Sequence, residues 1–500
     1  MQQQSFYWHD YETFGLSRDE FFPAQFAGRR TSLDLEPLDG GDVLYCRPAP
    51  DLLPAPGACL LTGILPQHCE ERGLPEPEFA AEVLRRLGAP GTIGIGYNTL
   101  AFDDEVTRFL FWRNFIPAYE REYMNECGRW DLFPVTHAVW ALRPEGIEWP
   151  KWKDCVAPLN AKRLLPVEAP ENLESFCFKL ECLTAANGIS HAKAHDALSD
   201  VEGTIALARL IREKQPRFWT WAFAHRGKDA VREELSGESA LWVDSRAGQE
   251  RGYLRCVRLL AGDAANKNAA YLWDLSHDPE ELFSVSAEEI RERAFRRAED
   301  LPAGKERLPL SKITVNKCPV VCGDLRVLRD ARAEEFGIDK AAVKRNAAKF
   351  TPALQREAAA KISEAFSREW QEASRAGEPK PDADAALYDA GFPGWGDKAA
   401  MKTVTALSPS GLEEAIHSGK LRFEMPVLRE LLFRYVGRNC PECFNEKERA
   451  KWRRFAAERV ASKLPAYEAE ITRLEAALEG RGAELIRALR EWPKRPGTDF

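Results

Sequence analysis

The sequence of 500 residues has no apolar run of the roughly 18–20 residues that a membrane span requires. Residues 1–5 carry neither a basic region nor an apolar stretch, so a secretory signal is not expected. No repeat of fixed period is evident. The twelve cysteines are scattered along the chain, which is typical of reduced thiols in a cytosol rather than of a disulfide framework. We therefore expect a cytoplasmic protein with no membrane partner.

The composition, 44% hydrophobic and 30% charged, is that of an ordinary globular protein. The length exceeds what one hydrophobic core can organise, and roughly two to four domains are expected. A net charge of −8 at first argues against a nucleic-acid partner. However, residues 305–349 hold eleven Lys/Arg against six Asp/Glu, so one domain can still present a basic surface. A solvated surface of mixed charge explains that window equally well.

The hydrophobic pattern changes twice along the chain. Residues 5–212 alternate strand-like and helix-like segments, which predicts an α/β domain, with a loop at 54–62 and an irregular excursion at 144–175. Short β-type runs then appear between residues 242 and 315 and predict a small barrel or sandwich. Beyond about residue 353 the pattern is almost entirely helical.

Two acids stand on the first predicted strand. An aromatic run at residues 6–8 indicates a buried strand that ends at Gly15, and Asp10 and Glu12 are two residues apart, so they share one face. Neighbouring carboxylates on an apolar strand repel each other unless a cation lies between them, and oxygen ligands suit Mg²⁺ or Mn²⁺. Alternatively, Asp10 caps a turn and Glu12 is solvated.

Two further segments carry acids in similar positions. Asp103 follows the strand at residues 92–97 and opens a helix; Asp196 opens the helix predicted over 195–213, and His191 lies on the loop before it. Taken singly, either Asp is as well explained by helix capping, and His191 by a surface position.

Together, the order Asp10-x-Glu12, Asp103, His191-x₄-Asp196 resembles the DEDDh family of 3′→5′ exonucleases, which share a ribonuclease H-like fold. The likeness to its bacterial exonuclease I group also extends to further segments, namely HDYETFG at 9–15, PAQFA at 23–27, LTGI at 61–64, FDDEVTR at 102–108, ALRPEGI at 141–147 and NKCPV at 316–320. The resemblance implies a ribonuclease H-like exonuclease domain, an SH3-like β domain and an all-helical C-terminal domain. We place these at 1–213, 214–352 and 353–500.

The resemblance also assigns roles. The four acids, Asp10, Glu12, Asp103 and Asp196, would hold two Mg²⁺ ions, for which Mn²⁺ can substitute. His191 would be the general base, with His195 as the alternative. Thr13 and Phe14 would hold the 3′-terminal nucleotide, although core packing explains Phe14 nearly as well.

The activity implied is processive 3′→5′ degradation of single-stranded DNA to 5′-mononucleotides, in repair or recombination, by a monomer. Plausible DNA contacts are Lys312, Lys317, Arg326 and Arg329. Exonuclease I also binds the acidic C-terminal tail of the single-strand DNA-binding protein, and Arg143 is the candidate residue for that tail; a structural ion pair is the alternative. The rival functions are an RNA-trimming exonuclease of the same superfamily and a non-catalytic nucleic-acid-binding scaffold.

Two features depart from the pattern. The segment 151–175 is longer than its counterpart in exonuclease I and lies on the approach to the predicted active site. Two close cysteine pairs, Cys318/Cys322 and Cys440/Cys443, could form a zinc site if the β and helical domains brought them together. Buried or surface thiols are the alternative for these four.

Overall fold

The computed structural model describes residues 4–15, 17, 22–189, 197–301, 303–375 and 381–494. Its first unit is an α/β domain. The strands of that domain are β1 Ser5–Thr13, β2 Pro23–Thr31, β3 Asp42–Tyr45, β4 Thr92–Ile95 and β5 Gly128–Arg129. Its helices are α1 Pro56–Thr62, α2 Pro66–Arg72, α3 Glu76–Leu87, α4 Asp103–Arg113, α5 Leu132–Leu142, α6 Trp152–Lys162, α7 Leu180–Ala186, α8 Ala197–Lys214 and α9 Pro216–Ala224.

These five strands form one mixed sheet in the order β3-β2-β1-β4-β5. The central strand β1 is antiparallel to β2 and parallel to β4. Its residues Phe6, Tyr7 and Trp8 are all buried, on alternating faces, because helices cover both sides of the sheet. β4 pairs with β1 only as far as Trp8, so the backbone groups of the later β1 residues on that side can bind partners other than β4. This is the end of the strand that carries Asp10 and Glu12.

Two predictions of irregular structure are wrong. The loop predicted at 54–62 contains α1, because Pro56 occupies the first helical turn, where proline needs no amide donor. The excursion predicted at 144–175 contains α6, which tolerates Pro158 in its interior. Proline predicts a break in both places, whereas the buried side chains of Leu60 and Leu159 pack the two helices against the protein.

The second unit is built on an antiparallel sheet in the order β10-β6-β7-β8-β9. Its strands are β6 Ala240–Val243, β7 Leu254–Gly262, β8 Ala269–Asp274, β9 Leu310–Thr314 and β10 Val321–Cys322. Its helices are α10 Lys228–Leu235, α11 Glu280–Ser284, α12 Ala287–Arg293, α13 Asp330–Glu335, α14 Lys340–Ala348 and α15 Pro352–Ala365. Helix α15 is grouped with this unit because it packs on β7 and α12, whereas the predicted boundary assigns residues 353–500 to the helical domain.

The third unit is helical. Helix α16 Arg368–Arg375 precedes it and contacts the second unit through Trp370, which packs against Phe366 and Arg291. The third unit itself comprises α17 Trp395–Ala406, α18 Pro409–His417, α19 Pro426–Asn439, α20 Glu446–Ala477 and α21 Arg481–Glu491. The 32-residue α20 begins at a capping box in which Asn445 and Glu448 satisfy each other's backbone amides. Helices α20 and α21 pack against α1, so the last unit lies on the first.

A buried charge network joins these two units. Arg438 on α19 donates to Asp51 at 2.7 Å and to Asp384 at 2.7 Å. Burial alone would raise the pKa of Asp384, but the guanidinium groups of Arg438 and Arg434 hold that pKa well below its usual range. Among the described residues, no helix is long and apolar enough to cross a membrane.

Candidate active site

The acids on β1 meet a third acid from helix α8. One carboxylate oxygen from each of Asp10, Glu12 and Asp200 lies within 4.8 Å of the others. Helix α8 packs across β1 and β2, and Asp200 lies in its first turn. The strand period of two and the docking of one helix therefore gather three carboxylates on one face of the sheet.

Asp103 reaches the same place from α4. It is the first residue of that helix, is only 2% exposed and accepts a hydrogen bond from the amide of Tyr11 at 2.9 Å. That amide is available because β4 no longer pairs with β1 at this level. The N-cap of α4 is Phe102, so Asp103 lies one position inside the helix, and its carboxylate contacts the acid-bearing strand.

The electrostatics of the cluster favour a cation. Burial raises the pKa of Asp10 well above its usual value, and the charges of Asp103, Glu12 and Asp200 raise it further. Burial also raises the pKa of Asp103, despite the hydrogen bond from Tyr11. Buried carboxylates in this state bind either protons or a metal ion. Oxygen-only donors suit a hard divalent ion, so the residues present fit Mg²⁺ or Mn²⁺.

Three of the predicted residues, His191, His195 and Asp196, lie outside the described residues. The chain is described again from Ala197, whose amide donates to Gln25 Oε1 at 3.3 Å. Gln25 on β2 is the register partner of Glu12. The residue that follows Asp196 in the sequence is thus held beside the acid-bearing end of β1.

Asp200 was missed by sequence reasoning. A usable signal existed, because Asp200 follows Asp196 by four residues within a segment predicted as helix, and residues at that spacing share a helix face. A search for additional acids at helical spacing from the motif would have found it.

A cleft of about 810 Å³ opens beside Asp10 and Asp200. The β domain contributes Ser245, Gln249 and Tyr253 to its lining. Aromatic side chains also line the cleft, among them Trp8, Tyr97, Phe133, His137, Trp152, Phe176 and Phe178. The segment 151–175, which was predicted to lie on the approach to the active site, borders this cleft through Trp152, Glu168, Pro170 and Ser175.

Thr13 and Phe14 differ in their surroundings. The Thr13 hydroxyl donates to the carbonyl of Gly15 at 2.7 Å. Phe14 is 1% exposed and packs in a hydrophobic cluster with residues of α1, α20 and α21. The side chain of Phe14 is therefore a core residue in this structure, as the packing alternative has it.

Arg143 follows α5 and is partly buried. Its guanidinium donates to the backbone carbonyl of Val327 at 2.9 Å. Burial and the nearby charge of Arg329 lower the pKa of Arg143. The contacts of Arg143 are to backbone carbonyls, unlike the structural ion pair considered as the alternative. Glu145 pairs with Arg329 and lies near Arg143, so two arginines and one carboxylate leave a net positive site at the junction of the first two units.

The zinc hypothesis for the two cysteine pairs is wrong. Cys318 is buried and donates to the carbonyl of Arg129 at 3.2 Å, and Cys443 donates to that of Pro409 at 3.2 Å. Within the described part of the chain, these cysteines do not belong to any group of three or more ligand atoms at metal-binding separation. Cys318 contacts the first unit and Cys443 stays within the helical unit, so the two pairs have no common site.

The fold and the site together define a class. The first unit is a ribonuclease H-like sheet with acids gathered at the end of its central strand. It is joined to an SH3-like domain and a helical domain, and this combination defines an exonuclease. Residues 226–368 match the family described as Exonuclease I SH3-like domain, and residues 381–495 match that described as Exonuclease I C-terminal domain.

The chain is 37% identical over 476 residues to Exodeoxyribonuclease I of Haemophilus influenzae, covering 94% of this chain and 93% of the relative. It belongs to the exodeoxyribonuclease I family. The solved structure of E. coli Exonuclease I in complex with a dA16 oligonucleotide superposes with a TM-score of 0.86 at 33% identity, over 98% of this chain and 99% of that one. A structure described as SSB/Exonuclease I in complex with inhibitor CFAM gives 0.84 at 32%, over 99% of each chain.

Proposed function

We propose that this enzyme is a divalent-metal-dependent 3′→5′ exonuclease that degrades single-stranded DNA to 5′-mononucleotides. The observation that carries the proposal is the meeting of Asp10, Glu12 and Asp200, beside Asp103, at the mouth of an aromatic cleft. Its family relatives, one of them solved with an oligonucleotide, support the choice of substrate. We expect a cytoplasmic monomer that acts in DNA repair or recombination.

The acids have distinct tasks in this proposal. Asp10, Glu12, Asp103 and Asp196 would hold two Mg²⁺ ions, which when bound supply a water of lowered pKa and charge stabilisation at the leaving 3′ oxygen. The Tyr11 amide fixes the orientation of Asp103, so this carboxylate does not have to reorganise when the substrate binds. His191 would accept the proton of the attacking water, with His195 as the alternative base.

The cleft supplies the substrate contacts. Aromatic faces such as those of Tyr97 and Trp152 stack on bases without regard to sequence, and each stacked base contributes about 1–3 kcal/mol. Thr13 lies directly after the acid-bearing strand and is proposed to contact the terminal nucleotide. Because the β domain lines the same cleft, a bound strand would be enclosed by two domains, which accounts for processive degradation.

The basic residues proposed to contact the DNA backbone differ in their present partners. Lys312 pairs with Asp263, Arg326 with Asp324 at 2.8 Å and Arg329 with Glu145. Lys317 is exposed beside the buried Cys318. We therefore rank Lys317 first among them for a phosphate contact, since the others would have to exchange a carboxylate partner.

Digestion of labelled oligonucleotides tests the proposal. Single-stranded DNA should be shortened from its 3′ end to 5′-mononucleotides in Mg²⁺ or Mn²⁺, and excess EDTA should stop the reaction. Faster decay of an RNA of equal sequence would favour the RNA-trimming rival. Binding of DNA without turnover in either metal would instead favour the scaffold, and full activity in EDTA contradicts the metal-dependent mechanism.

A second part of the proposal concerns the single-strand DNA-binding protein. An acidic C-terminal tail would be recognised by the positive site at Arg143, beside Arg329. A fluorescent peptide of that tail should bind the wild-type chain and bind Arg143→Ala at least about tenfold more weakly, a loss of about 1.4 kcal/mol. Equal affinity for both proteins would exclude Arg143 as the contact.

A further inference from the structure

Three thiols outside the acid cluster lie together. The sulfur atoms of Cys155, Cys177 and Cys182 are within 4.8 Å of one another. All three residues are buried, with exposed fractions of 5%, 0% and 5% respectively. The remaining cysteines of the described chain do not form such a group. Three sulfur donors at mutual ligand distance need a physical account, because the proposed nuclease chemistry makes no use of them.

The cluster joins two elements at the wall of the cleft. Cys155 belongs to α6, whereas Cys182 belongs to α7 and Cys177 lies shortly before that helix. Leu159, Trp152 and Val167 pack around the three thiols. Trp152 and Phe176, each close in sequence to one of these cysteines, line the active-site cleft. Whatever binds the thiols therefore fixes the unusually long segment at 151–175 against the cleft.

Hydrogen bonds inside the cluster distinguish Cys177 from the other two thiols. Cys177 accepts hydrogen bonds from Cys182 and from the amide of Lys179, which together lower the pKa of Cys177 to about 7 although burial opposes this. Donation to Cys177 raises the pKa of Cys182, and burial raises that of Cys155 to about 11. A backbone amide donated to sulfur is a common outer-shell contact of a metal-bound thiolate. Metal binding to these sulfurs would release the protons that the thiols carry.

The donor set selects the kind of metal. Sulfur ligands favour Zn²⁺ strongly over Mg²⁺, Mn²⁺ or Ca²⁺. A Zn–S distance of about 2.3 Å places the sulfurs of a tetrahedral site about 3.8 Å apart, which lies within the observed limit of 4.8 Å. Three protein ligands leave one position for water, as in other zinc sites with three protein ligands.

We propose that Cys155, Cys177 and Cys182 bind one Zn²⁺ ion that clamps the segment 151–175 to α7 and shapes one wall of the active-site cleft. The site is separate from the carboxylates and does not depend on the nuclease proposal. The ion pair between Arg163 and Glu181 ties the same two elements together, so the clamp reinforces a contact that the fold already makes.

Cobalt titration of the full-length, metal-free, reduced protein tests the site. One equivalent of Co²⁺ should produce a thiolate-to-cobalt charge-transfer band with tetrahedral d–d bands, and Zn²⁺ should remove them. Cys177→Ser and Cys182→Ser should lose the charge-transfer band. Cys256→Ser, at an equally buried thiol in β7, and Asp10→Asn, in the carboxylate site, should retain it. Absence of the band in the wild-type protein, or its persistence in Cys177→Ser, overturns the proposal.

A second measurement needs no variant and so does not depend on how the variants fold. Zn²⁺ should slow alkylation of all three cysteines in the native wild-type protein at least about tenfold, and should leave the partly exposed Cys322 unaffected. Peptide mapping by mass spectrometry reports each site. Equal alkylation rates with and without Zn²⁺, or a disulfide within the cluster in place of metal, contradicts the zinc site.

Discussion

Asp103 and Asp104 are neighbours in the sequence, each is only 2% exposed, and their surroundings are opposite. Asp104 contacts the guanidinium groups of Arg121 and Arg129, the latter at 2.8 Å, and these charges hold its pKa below the usual range although burial alone would raise it. Asp103 contacts the Tyr11 amide and lies near other carboxylates, and its pKa is raised. A buried acid with arginine partners holds the fold together, whereas a buried acid among acids requires a cation from outside.

The largest expected effect is a loss of activity when an acid that lies among other acids is replaced. Asp10→Asn should reduce exonuclease turnover on the order of 10³-fold, about 4 kcal/mol in the barrier, because the amide cannot replace an anionic metal ligand. Its thermal stability without metal should rise, since a repelled charge is removed. Asp229→Asn, at an exposed acid paired with Arg232, is the matched control and should leave turnover unchanged. Turnover near the wild-type rate in Asp10→Asn would show that Asp10 is not a metal ligand.

Asp104→Asn should lower the stability of the folded protein. Its removal leaves Arg121 and Arg129 buried with weakened pairing, at a cost of about 3–5 kcal/mol in the free energy of unfolding. Urea unfolding monitored by circular dichroism measures this loss. A destabilisation no larger than that of the surface variant Asp229→Asn would show that Asp104 is not a structural acid.

Metal binding should stabilise the protein through the acids that lie among other acids, and not through those paired with arginine. A divalent ion at 100 times its Kd adds about 2.7 kcal/mol to the free energy of unfolding. We expect Mg²⁺ or Mn²⁺ to raise the Tm of the wild-type protein and to have little effect on Asp10→Asn. An equal rise in both proteins would place the stabilising ion elsewhere.

The pH dependence of the contribution to stability should also differ between Asp10 and Asp104. Because the folded-state pKa of Asp10 is raised, its contribution to stability is fully present below the ordinary carboxyl pKa of 3.8 and is lost as pH rises through the raised value. The lowered pKa of Asp104 acts in reverse, so that contribution is present above 3.8 and is lost as pH falls through the folded pKa. Without metal, the wild-type protein should therefore lose stability relative to Asp10→Asn as pH rises above 3.8. Parallel Tm profiles for the two proteins would contradict this.

The smallest expected effect concerns Asp200, which lies with Asp10 and Glu12 but is outside the predicted set of four. Asp200→Asn should reduce turnover by about 10–100-fold, the range for residues that support a metal site from its outer shell. A loss as large as that of Asp10→Asn would make Asp200 a metal ligand itself. An unchanged rate at every Mg²⁺ concentration would remove it from the site.

The sequence predicted the parts of the fold that have a clear hydrophobic pattern. The aromatic run at residues 6–8 predicted β1, because three large side chains in a row pack only where both faces of a strand are covered. Helix α4 was expected after the strand β4, with Asp103 at its start, and it begins there. The side-chain direction of Asp103 could not be predicted, since it depends on where β4 stops pairing with β1.

The errors have a common physical origin. Proline predicts a break, yet Pro56 starts α1, where proline needs no amide donor, and Pro158 lies inside α6, where packing of Leu159 outweighs the local cost. The cysteines show the same limit. Spacing in the sequence suggested two pairs that the fold keeps apart, whereas Cys155 and Cys177, separated by a helix and a return segment, are brought together.

Crystals of the protein soaked in Mn²⁺ test the central claim most directly, because anomalous scattering locates the ion independently of the chain. The account predicts a peak bound by Asp10, Glu12 and Asp103, with Asp196 reaching the same pocket. A peak absent from these carboxylates, or an Asp196 side chain remote from Asp10 with no shared cavity, would contradict it.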